Sequence, residues 1–195
     1  MTIKSFPYND ITEQDRQSLK QLFYLVWDDK DTKDIHPAEM NVISFCTMEG
    51  SEIISYAGVV SWPINVKDES FKMCGLSCVC THPEYRKRGI GNFLVKKVTE
   101  WIIQCDRFDI GLFTCSQENT SFYEHIGLWD KCPHLVLKES NREGAYVSRQ
   151  LQLNVFRLLI STKAKRYAEL FENTTITLDF PEKKRAIVAN SGTFS

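Results

Sequence analysis

The sequence predicts a single domain of the α/β (α+β) class, and three observations carry that reading. Strand-like segments alternate along the chain with segments whose apolar residues recur every three or four positions. Two of the strand-like segments are separated only by the turn signal Gly50-Ser51. The short run "DIGLFTC" follows a helix-like stretch and has the character of a buried strand in parallel pairing. A chain of 195 residues is long enough for one well-buried core, and no linker, internal repeat or low-complexity segment divides it, so residues 1–195 read as one domain.

Taken in order, "TIKSF" reads as a first strand, and Thr12-Glu13-Gln14-Asp15 resembles a capping box that opens a helix. Leu19, Leu22, Phe23 and Val26 give that helix one apolar face, ending near Trp27. "DDKDTKDIHPAEM" follows, with Asp28, Asp29, Asp31 and Asp34 ahead of Pro37: a loop or short helical turn, serving as a solvated connector or as part of a binding site. "NVISFCTME" and "EIISYAGVVSWPINV" are predicted to pair antiparallel, and "FKMCGLSCVCT" is the next strand. After Gly91, the spacing of Leu94, Val98, Trp101, Ile102 and Cys105 predicts an amphipathic helix. "DIGLFTC" is a buried strand, "ENTSFYEHIG" a short helix stopped by Gly127, and "HLVLK" a further strand. "VFRLLIS", "KAKRYAELF" and "TITLDF" then read as strand, helix and strand, while the polar tail from Pro181 to Ser195 carries no pattern that assigns it.

Composition narrows the function classes. With 43% hydrophobic and 25% charged residues, and 24 basic side chains against 25 acidic ones, the formal net charge is -1, which excludes bulk binding of nucleic acid. The longest apolar runs fall short of a membrane span, and the N-terminus has no charged-then-apolar signal pattern, so a cytoplasmic protein without a membrane partner is expected. Seven cysteines, an odd number, read as reduced and buried thiols. Cys74, Cys78 and Cys80 would share one face of a strand about 7 Å apart, a spacing suited to core packing rather than tetrahedral ligation, so no metal is expected. The sequons at Asn119 and Asn173 read as chance matches outside a secretory context.

The stretch from Thr81 to Lys97, "THPEYRKRGIGNFLVKK", carries the chemistry. A run of glycine and cations between a strand and a helix exposes several backbone N–H groups at the positive end of the helix dipole, an anion cradle suited to phosphate. The alternative is a turn whose glycines only satisfy unusual dihedral angles while Lys87 and Arg88 point into water. A P-loop is excluded because Asn92 and Phe93 follow Gly91, and a dinucleotide fingerprint would need a third glycine where Leu94 stands.

The pattern Arg86-x-x-Gly89-x-Gly91 after "VCTHPEY" resembles the GNAT superfamily of acetyl-CoA-dependent N-acetyltransferases. A second element, Ser116 to Leu128 with Phe122-Tyr123 ahead of Gly127, resembles that superfamily's strand-loop-helix; Ser116 stands where many members carry asparagine. The resemblance spans about Val42 to Val136. It implies a mixed, mostly antiparallel central sheet splayed at the acetyl-CoA site and flanked by helices, with about 1–135 as the common core and 136–195 as a C-terminal extension. It further implies that backbone amides around Arg86, Lys87, Arg88, Gly89, Ile90, Gly91 and Asn92 bind the cofactor's diphosphate. Val79 and Thr81 would pair with the pantetheine arm, with Ser116, Asn119 and Phe122 beside it.

For the transfer itself, the resemblance makes Val79 N–H a donor to the oxyanion and Tyr123 the group that protonates the departing sulfur. Members often carry a glutamate on the strand entering the loop, but "CGLSCVC" has none, which leaves a water chain through Ser77 or His82 to take the amine proton. "DIGLFTCSQENTSFYEHIGLW" and "VFRLLIS" look most like the aminoglycoside 2'-N-acetyltransferase group. The ending "KRAIVANSGTFS", however, lacks the tryptophan-bearing acidic C-terminus of its antibiotic-modifying members. The expectation is direct transfer from acetyl-CoA to a small cationic amine, aminoglycoside-like or polyamine-like, gathered by Asp28, Asp31 and Asp34. A protein or peptide acetyltransferase and a non-catalytic acetyl-CoA-binding member remain open, as does a homodimer.

Overall fold

The computed structural model describes residues 2–28, 35–36 and 38–179. Strands β1 (Ile3–Pro7), β2 (Ile43–Glu49), β3 (Glu52–Val66), β4 (Glu69–Thr81), β5 (Ile110–Cys115), β6 (Asp130–Lys131) and β8 (Asn154–Leu159) form one sheet in the order β1-β2-β3-β4-β5-β8-β6. Every neighbouring pair in it is antiparallel except β4 with β5, which is parallel. Strands β7 (Val136–Lys138) and β9 (Thr175–Thr177) pair in parallel as a second, two-stranded sheet. The helices are α1 (Glu13–Trp27), α2 (Ile90–Gln104), α3 (Thr120–Ile126) and α4 (Thr162–Arg166). This is the α/β architecture, mixed and mostly antiparallel, that the sequence predicts.

The local signals act as chemistry dictates. Thr12 Oγ1 accepts the Asp15 N–H at 3.2 Å and its hydroxyl donates to the Asp15 carboxylate at 2.7 Å, which caps α1. Asp28 ends that helix in the left-handed conformation, and its N–H reaches the Tyr24 carbonyl. Gly127, also left-handed at φ 70°, ends α3 in the same way.

Two faces of the large sheet are covered. On one, α2 and α3 bury Leu94, Val95, Val98, Ile102, Tyr123 and Ile126 against Phe45, Val59, Leu76, Val79 and Phe113. On the other, Leu19, Leu22 and Phe23 of α1 meet Tyr56, Val60 and Cys80. The C-terminal elements close a third cluster, in which Leu137, Ala164, Phe171 and Ile176 pack on Ile64, Phe71, Met73 and Leu112. The segment after residue 135 is therefore interleaved with the core: β8 lies between β5 and β6, and β7 and β9 cap one end of the sheet.

The strand read in "HLVLK" is β7, which pairs with β9 in the second sheet. Two features depart from the sequence reading. "KAKRYAELF" is split, because Tyr167 leaves helical geometry at φ -104° and ψ 30° and a 3-10 turn, Ala168–Phe171, follows. β6, only two exposed residues long, carries no apolar alternation by which it could be read.

Candidate functional site

The site is built by β4. Its ladder to β5 has two registered pairs, Met73 with Ile110 and Cys74 with Gly111, and stops there. Gly75 follows, and a Cβ at that position would lie 2.3 Å from the Leu112 carbonyl oxygen, so only glycine lets the two backbones touch at the point where they begin to diverge.

On the other side, β4 bulges against β3. Ser77 faces Gly58 and Cys80 faces Tyr56, so Cys78 and Val79 together oppose Ala57, and Cys78 takes a positive φ of 51°. A left-handed residue bearing a side chain costs about 1–2 kcal/mol, a strain of the kind that collects at functional sites.

The bulge also overturns one expectation. Cys74, Cys78 and Cys80 do not share a face: Cys74 lies in the cluster under α2, whereas Cys80 lies in the cluster under α1, with Cys78 at its edge. One inserted residue shifts the period-two alternation by one and sends Cys80 through the sheet. All seven cysteines are free thiols, four of them buried and three partly exposed.

After Thr81 the chain makes a 3-10 turn, Pro83–Tyr85, capped by His82, whose Nδ1 accepts the Glu84 N–H at 3.2 Å. Arg86 Nε–H donates to the Thr81 carbonyl at 3.3 Å, tying the loop back to the strand, and the Arg88 guanidinium lies over the Tyr85 ring at 5.0 Å. Lys87 and Gly89 both adopt positive φ, 61° and 76°, which turns the chain into α2.

The first bond of that helix runs from Phe93 N–H to the Gly89 carbonyl, so the amides of Ile90, Gly91 and Asn92 precede it without an intrahelical acceptor. A Cβ on Gly89 would meet nothing within 4 Å, whereas one on Gly91 would lie 3.0 Å from Thr81 Oγ1 and 3.6 Å from Phe122. The helix N-terminus is thus seated between the end of β4 and α3.

The divergence of β4 and β5 leaves a cavity of about 140 Å³. Ser77 and Val79 line it from β4, Ser116 from the end of β5, and Asn119 and Tyr123 from the segment that forms α3. Tyr123 is 4% exposed, with its ring 4.7 Å from Phe113 and 5.0 Å from Phe122. Burial, and then the neighbouring Cys115 and Cys80 thiols, raise its pKa above the ordinary phenol range, so it stays protonated. No hydrogen bond with the described residues engages its hydroxyl. The Ser116 Oγ is buried and has no hydrogen-bond partner among the described residues.

Five of the residues singled out by sequence therefore meet around one cavity, and Thr81, Gly91 and Phe122 adjoin one another beside it. His82 is not among the lining residues. Asp28 is exposed and follows Trp27, which lines the cavity; Asp31 and Asp34 lie outside the described residues. The far wall comes from residues that sequence reasoning missed: Trp62, Cys78, Glu139, Tyr146 and Ser148. No local motif marks them, because they converge only through the fold of the C-terminal segment.

Comparison with known proteins bears on this arrangement. The family described as "Acetyltransferase (GNAT) domain" matches residues 7–106, just over half of the chain. No curated protein matches the chain by sequence. Among solved structures, an acyl-CoA N-acyltransferase from Pseudomonas aeruginosa is similar at 10% identity and a TM-score of 0.54, over 80% of this chain and 98% of that one. NAA60 of Arabidopsis thaliana, solved with a bisubstrate analogue, is similar at 14% identity and 0.54, over 82% and 99%. The ribosomal-protein-S18-alanine N-acetyltransferase of Escherichia coli is similar at 13% identity and 0.53, over 83% and 96%.

Proposed function

Because the chain belongs to the acetyltransferase (GNAT) domain family, whose members carry out acetyl-CoA-dependent N-acetylation, we propose that it transfers an acetyl group directly to the nitrogen of a small cationic amine. The observation that carries this reading is the cavity opened between β4 and β5, with a helix N-terminus at its side and the Tyr123 hydroxyl unengaged in its wall.

The residues present fit acetyl-CoA. The free amides of Ile90, Gly91 and Asn92 suit a diphosphate, the space beside Gly89 leaves them open to approach, and the orphaned Ser116 hydroxyl suits an amide of the pantetheine arm. When bound, acetyl-CoA supplies the activated thioester. In this reading Val79 and Thr81 hold the arm through main-chain groups along the edge of β4 that β5 has vacated. The Val79 N–H donates to the carbonyl oxygen as it gains charge. Tyr123 donates a hydrogen bond to the sulfur as it gains charge. Ser77, in the cavity wall, positions water that takes the amine proton.

Asp28 follows Trp27, which lines the cavity, and Asp31 and Asp34 come next in the sequence. That supports a cationic acceptor, since exposed carboxylates attract ammonium groups over a Debye length of about 8 Å. An aminoglycoside-like or polyamine-like molecule is the acceptor that the sequence resemblance suggests, and a protein N-terminus is the second reading, favoured by the overlap with an alanine N-acetyltransferase fold. Free-thiol release from acetyl-CoA, followed with dialysed protein across monoamines, polyamines, aminoglycosides and short peptides, tests the proposal. Turnover with small amines supports it, turnover with peptides alone would favour the second reading, and acetyl-CoA binding without turnover on any amine would reduce the protein to a binding module.

A further inference from the structure

The far wall of the cavity is chemically lopsided. Trp27, Met40, Val60, Trp62 and Leu178 present apolar or aromatic surface to it, and Glu139 is the one acidic side chain among the described residues that lines it. Glu139 sits just after β7 and is 9% exposed. Its Oε2 accepts the Tyr146 N–H at 3.2 Å, its own N–H donates to the Tyr146 carbonyl at 2.8 Å, and no cation of the described residues pairs with it. Lys138, the adjacent residue, also lines the cavity but forms no ion pair with Glu139.

Glu139 is thus a largely buried acid whose carboxylate has one hydrogen bond and, among the described residues, no ion pair, so a cationic group entering the cavity would complete it. The indole N–H of Trp27 is likewise buried and has no hydrogen-bond partner among the described residues.

We propose that Glu139 is the acceptor-recognition residue of this enzyme, and that the acceptor is a small amine with a single ammonium group on an apolar or aromatic body. This rests on the acetyltransferase reading above and narrows its acceptor, replacing the polycation that the sequence resemblance suggests with a monoamine. The ammonium makes a charge-assisted hydrogen bond to Glu139, the body lies against Trp62 and Met40, and a polar atom on that body satisfies Trp27. Among the described residues no second acid lines the cavity, and a second ammonium beside Glu139 would face tryptophan, methionine and leucine, so this wall favours an acceptor with one charge over a polyamine. The acidic segment after Trp27 retains its part: it attracts cations of any valence from solution, and Glu139 selects among those that enter.

The test uses 2-phenylethylamine as the single-ammonium aromatic probe and spermidine as the polycation. Both are titrated calorimetrically into the full chain saturated with coenzyme A, and both are assayed for thiol release. Glu139→Gln keeps the side chain's size and can still accept the Tyr146 N–H, so its melting temperature and coenzyme A affinity should match the wild type. The expected result is at least tenfold tighter binding of 2-phenylethylamine than of spermidine by the wild type, a loss of that binding of tenfold or more in Glu139→Gln, and partial recovery in Glu139→Asp. Equal affinity of wild type and Glu139→Gln overturns the proposal, as does wild-type protein that binds coenzyme A but prefers spermidine or takes no 2-phenylethylamine. Wild-type protein that fails to bind coenzyme A at all would overturn the underlying acetyltransferase reading instead.

Discussion

Replacing Tyr123 by phenylalanine separates a chemical role from a packing role, because the structure predicts opposite signs for activity and stability. The ring is held by Phe113, Phe122 and Phe156, and the phenylalanine ring keeps those contacts. The hydroxyl makes no hydrogen bond with the described residues, so its removal forfeits none and relieves a largely desolvated polar group. Stability should be unchanged or rise by up to about 1 kcal/mol, which in a chain of this size moves the melting temperature by no more than about 4 °C.

Activity should fall. Because burial raises the Tyr123 pKa, full proton transfer to a thiolate of pKa near 8.5 is unfavourable, and the phenol acts as a hydrogen-bond donor to developing charge. Such a bond is worth about 1.5–3 kcal/mol, so kcat should drop about 10- to 150-fold while affinity for coenzyme A holds. The assays are thermal melting, calorimetry with coenzyme A, and thiol release under conditions where chemistry limits the rate. A variant with undiminished kcat would make Tyr123 a packing residue and refute the assigned role.

Three further outcomes are expected. Gly75→Ala forces a Cβ to within 2.3 Å of the Leu112 carbonyl, so β4 and β5 must separate; urea denaturation should show a loss of about 1–3 kcal/mol, with acetyl-CoA affinity changed as well. Thr99→Val removes the acceptor of the buried Trp129 indole N–H, a 2.9 Å bond, and should cost about 1–3 kcal/mol in the same measurement without changing the cavity. His36 is buried without hydrogen-bond partners among the described residues, and burial lowers its pKa to about 3. The unfolded chain then binds more protons below about pH 6.5, and stability should fall by about 2 kcal/mol between pH 7 and pH 5, a slope that His36→Phe should remove.

The elements with strong local signals were legible in the sequence. Thr12 and Trp27 bound α1 where capping chemistry and apolar spacing say they should, and Gly127 stops α3. The loop from Arg86 to Asn92 and the Tyr123 element are motifs of contiguous residues, which is why they could be read before any fold was known. What stayed hidden depends on backbone irregularity or on distant convergence. The bulge at Cys78 breaks the strict alternation on which strand reading relies, and nothing in "LSCVC" announces that a cysteine will take a positive φ. Glu139 lies on an irregular turn after β7, and it meets Trp27 and Trp62 only because β7 pairs with β9 and both cap the sheet. The missing carboxylate on β4 was visible in the sequence, but the carboxylate that faces the same cavity from the opposite wall was not.

The most direct test of the account is to titrate acetyl-CoA into isotopically labelled protein and follow the backbone amide resonances. Saturable one-to-one binding is expected, with the largest shifts at Arg88 to Asn92, Val79, Thr81 and Ser116, where the helix N-terminus meets the opened edge of β4. The absence of binding, or shifts confined to the surface hollow lined by Asn141, Arg142, Tyr146 and Gln150, would contradict it.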